Sequence, residues 1–132
     1  MASGGAMRSL LRAEGLAALC AAVALYAWLD APWWAFAAGF LLPDLAILAY
    51  LANARVGALV YNMAHSYVGP VALGLVGLHV DLQVGPALLA AAAVWTSHIG
   101  FDRALGYGLK HASGFADTHL GPIGRADRVR KA

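Results

Sequence analysis

The segment PALLAAAAVWTSHIGFDRALGYGLK, residues 86–110, decides the fold. It opens on Pro86, stays apolar for roughly three helical turns, and then carries His98 and Asp102 before its first basic residue, Arg103. A helix of about 20 apolar residues crosses a bilayer. An ionisable group inside such a helix is expensive, roughly 2.5–3.5 kcal/mol for Asp at its centre. Such groups therefore face one another, a cavity or a metal. His98 and Asp102 stand four residues apart, so they share one face of the helix.

The rest of the chain repeats the pattern. The 132 residues are 61% hydrophobic and 12% charged, with a mean hydropathy of +0.67; an ordinary soluble domain carries about 25% charge. Four apolar runs stand out: Arg8 to Leu29, Pro32 to Asn53, Arg55 to Val80, and Pro86 to Lys110. These predict an all-α integral membrane protein, an antiparallel four-helix bundle over residues 8–110. Residues 1–7 are expected to be a disordered N-terminus and 111–132 a cytoplasmic basic tail. The first run imitates a signal peptide, but Glu14 and three further runs predict a retained anchor. The lone Cys20 excludes an internal disulfide, and a net charge of +2 is too small to argue for nucleic acid.

Charge gives an orientation. Arg8, Arg12, Arg55, Arg103, Lys110 and the basic residues from Arg125 onwards all fall on one side of the four runs. The loops around Asp30 and Asp81 carry no Lys or Arg. The positive-inside rule then puts both termini in the cytoplasm of a multi-pass protein. Tyr26, Trp28, Trp33 and Trp34 mark the opposite interface. Membrane lipids, a lipid-soluble small molecule and further copies of the chain are the expected partners.

Five ionisable residues lie inside these runs: Glu14, Asp44, His65, His98 and Asp102. Counted along their helices, they fall within roughly 9–18 Å of the cytoplasmic ends, and a bundle brings such positions together. These five are the candidate catalytic residues. Asn62, Ser66, Arg103, Tyr107, Asp117 and His119 are expected to support them or touch substrate, the last two by folding back from the tail as a lid or added ligand. Each also has a plain packing role open to it. His98 with Asp102, or His65 with Asn62, makes a buried hydrogen-bonded pair, Glu14 reaches water, and Arg103 snorkels. Pro43 and Pro70 are expected to kink their helices and free the carbonyls of Gly39 and Ser66.

The stretch His98-Ile99-Gly100-Phe101-Asp102-Arg103-Ala104-Leu105-Gly106-Tyr107-Gly108-Leu109-Lys110 resembles the signature of a small bacterial membrane-protein family, domain of unknown function family 4260. Tyr61 to Tyr67, Pro43-Asp44-Leu45, Asp117 to Gly121 and Glu14-Gly15 resemble its other blocks. The similarity covers roughly residues 8–124, with no departure at the ionisable positions. It implies a four-span bundle and no particular activity.

Two chemistries suit the residues. Carboxylates and imidazoles in low dielectric separate their proton affinities, so one donates while another accepts; isomerisation, cyclisation or hydrolysis of a lipid-like substrate follows. Alternatively Asp44, His65, His98 and Asp102 bind a divalent metal (Zn, Fe or Mn). No HExxH, no Cys pair and no G-x-S-x-G is present. Ion or proton transport, a haem held between His65 and His98, and a structural membrane scaffold are the remaining alternatives.

Overall fold

The computed structural model describes residues 2–124. The chain forms α1 (Ala2–Trp28), α2 (Trp33–Phe40), a 3-10 helix (Leu42–Leu51), α3 (Ala54–Ala64), α4 (Val68–His79), α5 (Gly85–Leu105) and a hairpin of β1 (Lys110–His111) with β2 (Gly114–Thr118). It is mostly helical. The antiparallel hairpin is a departure from the all-α expectation. So is α1, which takes in residues 2–7 where the sequence suggests disorder. The basic residues from Arg125 onwards lie outside the described residues.

Local chemistry sets each boundary. Asp30 takes a left-handed conformation (φ 53°) and Pro32 follows it, which ends α1 and starts α2. Pro43 has no N–H to give, and at this point the α-helix gives way to 3-10 geometry. Asn53 caps α3 by accepting from the Val56 N–H at 2.9 Å. The third apolar run is not one helix: it breaks at residues 65–67. Pro70 sits in the first turn of α4, where a missing N–H costs little, and the Ser66 hydroxyl accepts from the Val68 N–H. Gly106 (φ 96°) closes α5, with the Tyr107 N–H returning to the Asp102 carbonyl at 2.8 Å.

The long helix α5 is the centre of the molecule. It packs on α1 along one side and on α4 along another, while α3 packs on the 3-10 helix and the hairpin lies against α3. The crossing of α1 and α5 depends on two glycines. A Cβ on Gly100 would stand 2.7 Å from the Gly15 carbonyl oxygen and 2.7 Å from the Leu19 nitrogen. Trp95 ties α5 to the end of α3, its indole N–H donating to the Ala64 carbonyl at 2.6 Å.

Two helical stretches, Gly4–Trp28 and Trp33–Leu51, are long and apolar enough to cross a membrane. Neither α2 nor the 3-10 helix has a buried residue, and Leu41, Leu42, Leu45 and Leu48 are exposed. α3 and α4 are each too short to cross a bilayer alone. α5 holds more buried residues than any other element, among them Ala93, Val94, Ser97, His98, Ile99 and Gly100.

Candidate metal centre

Four side chains from three helices converge beside α5. Asp44 comes from the 3-10 helix immediately after Pro43, His65 from the residue that caps α3, and His98 and Asp102 from one face of α5. Each offers one ligand atom, and all four atoms lie within 4.8 Å of one another. His65 Nε2 and His98 Nε2 are 3.1 Å apart. The Asp44 Oδ1 is 3.4 Å from both, and the Asp102 Oδ2 is 3.6 Å from both.

These separations are five of the six edges of a tetrahedron. With a sixth edge of similar length, its centre would lie at about 0.61 of the edge from each corner, about 2.1 Å, in the range of about 2.0–2.2 Å for metal bonds to imidazole and carboxylate. The remaining carboxylate–carboxylate edge is at most 4.8 Å, and at that limit the common point moves out to about 2.4 Å. Two nitrogen and two oxygen donors, with no thiolate, suit Zn, Mn or Fe.

The surroundings orient the ligands. His65 Nδ1 lies 2.9 Å from the Tyr61 carbonyl, which only accepts, so Nδ1 carries the proton and Nε2 keeps its lone pair. The Tyr61 ring stacks on His65 at 3.7 Å and 9°, and its hydroxyl donates to Asp102 Oδ2 at 3.4 Å. Phe40 meets the His98 ring edge-on. Both imidazoles are 2% exposed, whereas the Asp44 side chain is 40% exposed and Asp102 16%. The open side of the cluster is therefore the Asp44 side.

The structure thus gathers Asp44, His65, His98 and Asp102, sets Arg103 against the His65 main chain, and places the other expected residues away from the ligand atoms. Glu14 is exposed on α1 and does not join them, because the α1 surface that meets α5 is the small-residue face at Gly15. Asn62 faces the hairpin: its side chain donates to the Lys110 carbonyl at 2.8 Å and accepts from the Lys110 N–H at 2.6 Å. Ser66 caps α4. Arg103 donates to the His65 carbonyl at 3.0 Å and to the Tyr107 carbonyl at 3.4 Å, while the Tyr107 side chain is exposed. Asp117 accepts from Ser113 and His119 from the Leu109 N–H, both within the tail. Neither supplies a ligand to the cluster. As placed, the His65 and His98 nitrogens are 3.1 Å apart, too close to flank a porphyrin.

Two residues that sequence reasoning passed over belong to the site's surroundings. Tyr61 lies one helical turn before His65, and that spacing was its signal. Lys110 is 5% exposed, with its ammonium 4.9 Å from the Tyr61 ring centre and 3.9 Å from that of Phe115. Burial pushes the Lys110 ammonium below its usual range, while the charges of Asp102 and Asp44 pull it back up.

A cavity of about 620 Å³ lies near the cluster, although none of the four cluster side chains lines it. Its inner wall includes Pro43 and Ala64, the chain neighbours of Asp44 and His65, together with Val94, one turn before His98.

The class is a helical protein with a two-histidine, two-carboxylate cluster beside an apolar cavity. The chain belongs to the family described as Domain of unknown function (DUF4260), whose model matches residues 8–123. No curated protein and no solved structure matches it.

Proposed function

We propose that this chain is an integral membrane metalloprotein that carries out metal-assisted acid–base chemistry on a lipid-soluble substrate. The observation that carries the reading is the set of five ligand-atom separations between 3.1 and 3.6 Å. Two buried imidazoles and two carboxylates that close together are costly unless something holds them. A divalent cation offsets both negative charges and uses both bare nitrogens.

A metal bound there supplies Lewis acidity, polarising a substrate oxygen or a water molecule. The protein's own part is positioning. Tyr61 fixes the His65 tautomer through its carbonyl and orients Asp102 through its hydroxyl. Asp44, the most exposed of the four, is the ligand on the open side; its departure from the metal would open a position for a substrate oxygen and free its carboxylate to take or return a proton. Isomerisation, cyclisation and hydrolysis all fit this arrangement.

The setting in this reading is a bacterial inner membrane, with the helices forming a multi-pass antiparallel bundle and both termini cytoplasmic. The two long apolar stretches and the one-sided placement of basic residues support it. The apolar outer faces of α1 and the 3-10 helix pack on lipid and on further copies of the chain.

A second reading is a metal-free acid–base cluster, and one observation favours it. His98 Nδ1 is buried without a hydrogen-bond partner. A proton on His98 Nε2, donated to His65 Nε2, would leave Nδ1 as a lone pair, which is cheaper to bury unpaired than an N–H. Metal content decides between the two. The purified protein is expected to hold one transition metal per chain and to lose it in His98→Ala. A folded protein that retains no metal after dialysis against Zn, Mn and Fe salts supports the metal-free cluster instead.

A further inference from the structure

We propose that the cavity beside the cluster is a subsite for a hydrocarbon chain, and that the ligand presents an oxygen-bearing head at the end of that chain to the metal. The head rests on the metal reading above; the chain rests on the cavity alone.

The walls carry no spare hydrogen-bonding group on their side chains. Among the lining residues only Tyr26 and Trp95 have polar side-chain atoms, and both are already used. The Tyr26 hydroxyl donates to the Pro32 carbonyl at 2.8 Å, and the Trp95 indole N–H to the Ala64 carbonyl at 2.6 Å. The Gly39 carbonyl, which Pro43 cannot satisfy, accepts from the Leu41 N–H. A hydroxyl or charge carried midway along the ligand would lose its water and gain nothing in return. Left empty, a cavity of this size leaves its wall atoms without dispersion partners. Eight of the fifteen lining residues are Ala or Gly, so few large side chains project into the space and an unbranched chain passes.

Charge is complementary at the other end. Two carboxylates neutralise a divalent cation, which leaves Arg103 and Lys110 beside the loaded cluster. Among the described residues neither has a carboxylate within 4.0 Å. The excess is positive, and it suits an anionic or electron-rich oxygen on the ligand head. Pro43, Ala64 and Val94 line the cavity and stand next to Asp44, next to His65 and one turn before His98, so the end of the cavity that they form is the one set toward the cluster.

The test uses alkyl hydroxamates, whose head chelates metals, with butyl and dodecyl chains. Affinity is measured by calorimetry in nanodiscs on the wild type, on Ala91→Phe and on Ala87→Phe. Both residues line the cavity and are otherwise exposed, so the larger side chain fills space without displacing core. Metal content is measured on every sample. Butyl hydroxamate is expected to bind all three proteins within about twofold, and dodecyl hydroxamate to lose about tenfold or more in the variants. The same dodecyl-to-butyl ratio in all three proteins overturns the assignment. Protein that lacks metal, yet loses dodecyl binding in Ala91→Phe, refutes the metal reading and leaves the chain subsite standing.

Discussion

Replacing Asn62 with Ala should release the tail hairpin while leaving the helices in place. Asn62 holds the backbone of Lys110 at both ends, donating to its carbonyl at 2.8 Å and accepting from its N–H at 2.6 Å. Lys110 is 5% exposed, so water does not replace these bonds while the hairpin stays docked. Each buried group left unpaired costs about 1–3 kcal/mol, which gives about 2–6 kcal/mol for the pair. The hairpin also packs on α3 through the stacking of Lys110 and Phe115 around Tyr61, so detachment removes those contacts too. Hydrogen exchange followed by mass spectrometry reads the result directly. Amides of residues 108–120 should exchange about 30-fold faster or more, as such a loss implies, with α5 unchanged. Asn62→Asp keeps the acceptor for the Lys110 N–H but sets an oxygen against the Lys110 carbonyl, so it should also loosen the hairpin. Unchanged protection of these amides in Asn62→Ala would refute the docking described here.

Tyr61→Phe keeps the stack on His65 but removes the hydroxyl from Asp102; metal affinity should fall about tenfold, as for other groups that orient ligands, and a competitive chelator titration measures it. Gly100→Ala should lower stability by about 1–3 kcal/mol, because its methyl meets main-chain atoms of Gly15 and Leu19. Gly4→Ala, with nothing within 4 Å, should not, and thermal melts in detergent compare the two. Partial burial and the charge of Arg103 hold the His119 imidazole below the usual histidine range, and its Nδ1 accepts from the Leu109 N–H. The released hairpin therefore binds protons more readily than the docked one. Docking should be fully stable above pH about 6.5 and weaken as pH falls through the lowered value; tail amide protection that stays constant from neutral to acid pH would contradict this.

How much of this was legible in the sequence varies by element. Hydropathy located α1 and α5 well, since each is one uninterrupted helix. It joined α2 to the 3-10 helix and α3 to α4, because apolar side chains continue through both breaks while backbone geometry does not. Pro43 and Pro70 were visible signals of trouble there, and the breaks fall beside them. Asp44, His65, His98 and Asp102 were legible as ionisable groups that an apolar helix tolerates badly. Glu14 carried the same signal and lies outside the cluster, since composition does not say which way a helix faces. Tyr61 was passed over, although its spacing to His65 already put the two on one face. The hairpin was hidden because a strand of two residues leaves no periodicity, and Lys110 read as a charge ending a span.

The most direct test of the central claim is X-ray absorption at the metal edge of the purified, metal-loaded protein. Two imidazole nitrogens and carboxylate oxygens at about 2.0–2.2 Å are predicted, with one imidazole lost in His65→Ala. A bound metal with sulfur ligands, or with an imidazole count unchanged by His65→Ala, would contradict it.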